Sequence, residues 1–138
     1  MKRFEIREHT ADLRLFVEGD TLEELFTAAL EVEGMADILT KQKPDETPSI
    51  KRKITLQSSD TTALLIDFLS DALYFSHTEG TVFRSVTFQN LTKTSFTAHI
   101  HGHKTNGFDE DIKAVTYHEA EVKKNSIGNY ETSIIFDI

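Results

Sequence analysis

The 138-residue sequence contains no cysteine, only two prolines and only six glycines. Without cysteine the chain cannot form disulfide bonds, thiolate zinc sites or cysteine nucleophiles, and this composition fits a reducing compartment. No apolar run approaches the roughly 18 residues that span a bilayer. The N-terminal segment "MKRFEIREH" also lacks the apolar stretch of a secretory signal. We therefore expect a cytoplasmic protein that makes no membrane contact.

Glycine-rich phosphate loops and excess positive charge are missing too. No Walker-type motif occurs, and 15 Lys and Arg residues stand against 23 Asp and Glu residues, for a net charge of −8. An acidic surface repels the phosphate backbone, whose attraction to positive charge dominates unspecific nucleic-acid binding. We expect no strong direct binding to nucleic acid, although a local basic patch would be compatible with this total.

The chain has the length and the proportions of hydrophobic and charged residues that are typical of one globular domain. Hydrophobic residues make up 38% and charged residues 28% of the chain, and we interpret residues 1–138 as a single domain. Both prolines fall within residues 40–49, which we interpret as a surface loop between elements.

Two segments have helical patterns. Residues 21–35 begin with Thr21 and Glu24, which are spaced as a capping box, and their apolar side chains recur on one helical face. Residues 58–80 carry a wide apolar stripe and are predicted to end at Gly80. Asp60 is best interpreted as the N-cap of this second helix, with metal ligation the less favoured alternative.

Most of the remaining sequence is typical of strands joined by hairpins. Strands are predicted over residues 3–8, 13–18, 50–57, 82–89 and 94–102, followed by two alternating runs joined by a turn at 126–129. These elements predict an α+β fold, in which two main helices pack on a mostly antiparallel, hairpin-linked β-sheet.

Two aspartates stand where a metal could bind. Asp12 interrupts two apolar strand patterns, and Asp137 precedes the terminal residue Ile138, which carries the α-carboxylate. Convergence of these groups would form an all-oxygen site for a hard cation such as Ca²⁺ or Mg²⁺. In the alternative interpretation, Asp12 is a turn residue that hydrogen-bonds its own backbone and Asp137 marks the exit of a strand into water. Sequence spacing alone does not bring the two residues together.

The segment "HIHGH" places His99, His101 and His103 at alternate positions, so on a regular strand they share one face. Histidines two residues apart can chelate a transition metal. Because Gly102 and a polar loop follow, a solvated strand face is the favoured interpretation.

Four motifs occur in order: "HTADLRL", "TLEELFTAAL", "IKAVTYH" and the terminal "IIFDI". With these motifs, and with "LLIDFLSDALY" where a second helix is expected, the chain resembles the archease family over nearly its whole length. The resemblance implies a metal-binding accessory protein, not an enzyme, that activates the GTP-dependent tRNA-splicing RNA ligase. Such a protein promotes guanylylation of the ligase's active-site histidine, restores multiple turnover and broadens nucleotide use towards ATP. The family's metal ligands would here be Asp12, Asp137 and the terminal carboxylate of Ile138.

Three further residues are possible supporting or partner-contact groups. If the last hairpin pivots near residue 127, Tyr117 falls opposite Asp137, and Lys113 and His118 lie within a few residues of the site. Lys113 would then meet the ligase or a nucleotide phosphate, or else be an ordinary surface lysine. His9 would orient Asp12, although a structural histidine is the favoured interpretation.

Two other classes of function compete with this one. A small metal-dependent hydrolase would use a cation held by Asp12 and Asp137 to activate water, but the sequence offers no obvious nucleophile or acid–base pair. A chaperone-like or RNA-binding module is the third class, and the acidic balance argues against direct RNA binding.

Overall fold

The computed structural model of the chain describes residues 5–7, 10–31, 33–43 and 47–138. Its helices are α1 (Leu22–Leu30), α2 (Met35–Leu39) and α3 (Thr61–Glu79). Its strands are β1 (Glu5–Arg7), β2 (Thr10–Gly19), β3 (Ile50–Gln57), β4 (Thr81–Gln89), β5 (Ser95–Lys104), β6 (Ala114–Thr116), β7 (Lys123–Lys124) and β8 (Tyr130–Asp137). Among these described residues, no helix combines the length and apolar character that crossing a bilayer requires.

The strands form two antiparallel sheets. The larger sheet has the order β1-β2-β8-β6, with β7 also paired to β8, and the smaller sheet has the order β3-β5-β4. Strand β8 is therefore hydrogen-bonded on both sides although it comes last in the chain. The predicted α+β class is confirmed, but the alternating patterns did not reveal that the strands divide between two sheets.

The two long helices join the sheets. Helix α1 packs against β2 and β4, and α3 packs against β3, β4 and β6, so each helix contacts both sheets. Phe26, Phe68, Phe88 and Phe96 form an aromatic cluster, in which the Phe88 and Phe96 ring centroids lie 5.3 Å apart. Such ring pairs contribute about 0.5–1.5 kcal/mol each beyond the burial of their surface. The cluster thus fixes both helices on the smaller sheet.

The two long helices have the N-caps that the sequence predicts, Thr21 for α1 and Asp60 for α3. The Glu24 amide donates to Thr21 Oγ1 at 3.1 Å, and the Glu24 carboxylate accepts from the Asp20 amide at 2.7 Å. At α3, the Asp60 carboxylate accepts from the Ala63 amide at 2.8 Å, which confirms Asp60 as the N-cap. Each side-chain cap satisfies a backbone amide that the helix itself leaves unbonded.

The single helix predicted over residues 21–35 is wrong in its length. Helix α1 ends at Leu30, Glu33 has a positive φ of 66°, and α2 begins at Met35. The reason lies partly at Gly34, where a Cβ would stand 2.3 Å from the Ala28 carbonyl oxygen. Only glycine lets the chain pass this close to the end of α1 before it turns into α2. Val32, which falls within the predicted helix, lies outside the described residues.

A buried ion pair anchors α2 to the smaller sheet. Arg84 Nη1 lies 2.6 Å from Asp37 Oδ1, and the same guanidinium donates to the Thr40 carbonyl. The Glu33 amide also donates to Asp37, at 2.8 Å. Burial tends to raise the pKa of Asp37, but these bonds and the positive charges of Lys43 and Arg84 together lower this pKa below its ordinary value.

Candidate metal site at the end of the larger sheet

Asp12 lies inside strand β2 and not in a turn. Its backbone is the register partner of Glu5 on β1 and of Asp137 on β8, and its side chain is exposed. Strand β2 begins at Thr10, earlier than the predicted start at residue 13. The interpretation of Asp12 as a turn residue is therefore wrong, because the strand continues through it and pairs on both sides.

Asp12 and Asp137 stand directly opposite each other on neighbouring antiparallel strands. Side chains opposed in this way share one face of the sheet, with Cβ atoms about 5 Å apart. Both side chains are exposed, and no basic side chain of the described residues forms an ion pair with either. Like charges facing each other destabilise a strand pair. The end of the sheet thus carries two negative charges that the described side chains do not neutralise.

The backbone around Asp137 is held on both sides. Besides its pairing with Asp12, Asp137 is the register partner of Ala114 on β6, and its carbonyl accepts a hydrogen bond from the Lys113 amide at 2.7 Å. The following residue, Ile138, is partly buried and packs against the hydrophobic core. These contacts fix the direction in which the chain leaves β8.

Arg14 is the nearest basic residue on the same face of β2, and it is engaged elsewhere. Its guanidinium binds the Glu119 carboxylate through two hydrogen bonds, of 3.0 and 3.2 Å. Such a two-point pair fixes the orientation of the guanidinium plane. Arg14 is therefore directed to the turn after β6 and does not neutralise Asp12.

The prediction that Tyr117 faces Asp137 is wrong by three residues, because Ala114 occupies that position. A tight turn over residues 117–120 explains the shift. The Ala120 amide donates to the Tyr117 carbonyl at 3.1 Å, and Glu119 has a φ of 59°. This turn adds residues between β6 and β7 that a regular hairpin would not contain.

Helix α3 holds this turn in place. The Tyr117 hydroxyl donates a hydrogen bond to the Asp67 carboxylate. That bond, followed by burial and by the negative charge of Asp67, raises the pKa of Tyr117 above its ordinary value. The turn is thereby attached both to α3 and, through Glu119, to β2.

The three predicted supporting residues do not lie together. Lys113 immediately precedes the partner of Asp137, and its side chain is exposed. His118 lies in the turn beyond the other end of β6, with Nε2 3.6 Å from Glu119 Oε2. His9 lies outside the described residues. Of the two residues that the structure describes, only Lys113 lies directly beside the paired aspartates in the strand register.

The donor set at this end of the sheet fits a hard cation. Carboxylate oxygens are the ligands that Ca²⁺ and Mg²⁺ prefer, and water completes their coordination. The described residues contain no group of three His, Cys, Asp or Glu side chains that could hold a metal. The side chains of the described residues therefore supply two facing carboxylates at this end of the sheet, those of Asp12 and Asp137.

Sequence reasoning missed one position. Glu5 is the register partner of Asp12 on the side away from Asp137, so three acidic residues follow one another across β1, β2 and β8. The strands predicted over residues 3–8 and 13–18 would, as a hairpin, align residue 5 with residue 16, so the sequence analysis gave no signal for the pairing of Glu5 with Asp12.

The histidine motif divides between two environments. His99 and His101 are half-buried on the outer face of the smaller sheet, which agrees with the interpretation of a solvated strand face. His103 is buried and lines a cavity of about 120 Å³ beside Arg84. The three histidines therefore do not form one open cluster.

These features define a class of protein: a small α+β protein in which two long helices join two antiparallel sheets and opposed carboxylates end the larger sheet. Residues 4–138 match the Archease protein family. An archease from Methanosarcina barkeri is 34% identical over 145 residues, covering 99% of this chain and 97% of the relative. An archease from Pyrococcus abyssi is 31% identical, with 100% of both chains covered. The chain belongs to the archease family.

Solved structures agree with this fold. The crystal structure of an archease from Thermotoga maritima, described as a possible chaperone, matches with a TM-score of 0.66 and 20% identity, covering 97% of this chain and 96% of that one. The solution structure of a Methanobacterium thermoautotrophicum protein matches with a TM-score of 0.65 and 23% identity, covering 99% and 98%.

Proposed function

We propose that this protein is a metal-binding accessory protein that activates the GTP-dependent tRNA-splicing RNA ligase in the cytoplasm. It promotes guanylylation of the ligase, sustains multiple turnover and broadens nucleotide use towards ATP. Membership of the archease family supports the accessory role. The observation that carries the metal-dependent part is the cross-strand opposition of Asp12 and Asp137 beside Ile138.

The metal ligands would be the carboxylates of Asp12 and Asp137 and the α-carboxylate of Ile138. A bound Ca²⁺ or Mg²⁺ supplies positive charge that offsets these anionic groups, and it offers further coordination positions to oxygen atoms of a partner or nucleotide. The chain itself orients the ligands, since β2 and β6 hold Asp137 from both sides and the core holds Ile138.

Activation requires that the protein bind the guanylylation-competent state of the ligase more tightly than other states, because only differential binding shifts an equilibrium. The exposed Lys113 beside Asp137 suits a contact with an acidic group of the ligase or with a nucleotide phosphate. The acidic end of the larger sheet would then form part of the ligase-facing surface.

The test combines the purified ligase, GTP, a divalent cation and RNA with broken ends, and it measures both guanylylated ligase and ligation turnover. We expect Asp12→Asn and Asp137→Asn to reduce the stimulation at least about tenfold, as expected when a metal ligand is lost. Glu131→Gln is the matched control, because Glu131 lies on the same strand and the same face as Asp137. Full stimulation by both aspartate variants would contradict the proposal.

A second variant tests the terminal carboxylate. Adding two residues after Ile138 converts the α-carboxylate into a neutral amide, and we expect stimulation to fall as in the aspartate variants. Unchanged stimulation would remove Ile138 from the ligand set. Phosphate release or RNA cleavage that needs Asp12 but no ligase would instead support the hydrolase alternative.

A further inference from the structure

The smaller sheet has an outer face that differs in charge from the rest of the molecule. Register places Lys51 and Lys53 of β3 beside His101 and His99 of β5, and Ser85 and Thr87 of β4 stand on the other side of these histidines. We call these residues the basic face: Lys51, Lys53, Ser85, Thr87, His99 and His101. The core side chains Ile54, Ala98 and Ile100 point to the opposite side of the same sheet.

The basic face contains no carboxylate and no apolar side chain. The next row towards one end of the sheet carries Thr55, Thr97 and Gln89, which are also uncharged. Towards the other end, Arg84 is paired with Asp37, so its charge is already offset. The chain has a net charge of −8, yet this face of the smaller sheet carries a continuous strip of basic residues. The total composition does not reveal this uneven distribution of charge.

The surroundings of His99 on the basic face disfavour its charged form. Burial, followed by the charges of Lys51, Lys53 and His101, lowers the pKa of His99. The β4 neighbours, Ser85 and Thr87, carry no charge that would oppose this effect. Two lysines therefore supply the charge at neutral pH, and His99 adds to it only when the pH is lowered.

We propose that the basic face binds the sugar–phosphate backbone of single-stranded RNA without reading its sequence. Successive basic side chains on each strand stand about 7 Å apart, because alternate residues of a strand share a face. This spacing suits successive phosphates of an extended strand, and serine and threonine hydroxyls also donate to phosphate oxygens. The argument that this face binds a phosphate-bearing anion depends only on its charge and geometry. The choice of RNA as that anion rests on the proposed function.

The composition of the face favours a phosphate backbone over an acidic protein. Energetically important positions of protein interfaces are enriched in tryptophan, tyrosine and arginine, and the basic face has none of these. The same absence of aromatic rings removes the stacking that holds bases on other single-strand binders. Binding should therefore be weak, sensitive to salt and independent of base identity.

The test measures fluorescence anisotropy of a labelled oligouridylate with the full chain, over a salt series from about 20 to 200 mM at neutral pH. Each neutralised phosphate contributes about −0.7 to the slope of log K against log salt for single strands. We expect Lys51→Gln/Lys53→Gln to make the slope about 1.4 shallower. Lys123→Gln/Lys124→Gln is the matched control, because these exposed lysines lie on the other sheet, and it should leave the slope unchanged.

Acidity provides an independent readout. Protonation of His99, whose pKa lies below 6.5, adds one charge in acid, so the slope should steepen by up to about 0.7 as pH is lowered. His99→Gln should remove this steepening and retain the neutral-pH slope. A steepening that survives in this variant would contradict the role of His99.

Three outcomes would overturn the proposal: no binding by the unmodified chain at the lowest salt, equal losses in the basic-face and control lysine variants, or stronger binding of polyglutamate than of oligouridylate. Circular dichroism on the same samples checks that the variants are folded. The lysine variant should retain full stimulation of ligase guanylylation, a step that uses no RNA. Asp12→Asn should retain RNA binding, so failure of this proposal and failure of the proposed function are distinguishable.

Discussion

The opposition of Asp12 and Asp137 predicts an unusual response of stability to a charge-removing substitution. Two exposed unit charges about 5 Å apart in a water-like dielectric repel by about 1 kcal/mol. The described residues provide neither carboxylate with a basic partner. Asp12→Asn should therefore raise the free energy of unfolding by about 0.5–1 kcal/mol when a chelator has removed divalent cations.

Added calcium should reverse this order. A ligand at 100 times its dissociation constant stabilises the folded state by about 2.7 kcal/mol. For a domain of this size, 1 kcal/mol corresponds to about 2–4 °C in Tm. We expect calcium to raise the Tm of the unmodified chain by about 5–10 °C. The rise should be largely lost in Asp12→Asn, so thermal melts with chelator and with calcium give opposite rankings of the two proteins.

A second acidic pair on the same strands provides the control. Glu18 and Glu131 are also direct partners, but Glu18 accepts hydrogen bonds from the Asn125 and Asn129 amides at 2.7 and 3.0 Å. In addition, Lys123 is the partner of Glu131 on β7. Glu131→Gln should neither stabilise the chelated protein nor change its response to calcium. If Asp12→Asn destabilised the chelated protein and kept the full calcium shift, the reasoning from cross-strand repulsion would be refuted.

Three further predictions concern stability. Arg84→Met should lower the free energy of unfolding at neutral pH by about 2–3 kcal/mol in denaturant titrations, since it removes the charged partner closest to the buried Asp37 carboxylate. Because the pKa of Asp37 is lowered on folding, its stabilising contribution is present above 3.8 and lost as pH falls below it, so the difference in stability between the variant and the parent should become smaller in acid. Burial, opposed by a hydrogen bond from a β4 amide, raises the pKa of Glu31 above 4.5. The contribution of Glu31 to stability should therefore become more favourable as pH falls towards 4.5, and Glu31→Gln should raise the free energy of unfolding at neutral pH and remove this dependence. Gly34→Ala should cost about 1–3 kcal/mol through the backbone clash, whereas Gly107→Ala, where a Cβ has open space, should leave Tm unchanged.

Local chemistry made much of the fold predictable. The caps at Thr21 and Asp60 and the strand over residues 50–57 depend on neighbours in the sequence, and the structure has them as expected. The break before α2 was not predictable in the same way. The apolar pattern continues through residue 35, and the close approach of Gly34 to α1 is a tertiary constraint that periodicity does not report.

The paired aspartates were predictable only through resemblance. Asp12 and Asp137 are separated by nearly the whole chain, so hydrophobic patterning gives their strands but not the pairing between them. The turn over residues 117–120 shows why the strand register was difficult to predict. Because this turn contains extra residues, Ala114 and not Tyr117 lies opposite Asp137. The basic face was equally hidden, because Lys51 and His101 become neighbours only through the pairing of β3 with β5.

The position of β8 explains how Asp137 is held in a fixed arrangement. Terminal residues usually fray unless other elements hold them. Here β8 pairs with β2 along its whole length and with β6 at its end, and the Lys113 amide bonds to the Asp137 carbonyl at 2.7 Å. Opening this end would break bonds to two strands and expose Phe136, which is fully buried. A cation bound at Asp137, as we propose, would therefore meet a backbone already ordered by folding, and little further conformational entropy would be lost on binding.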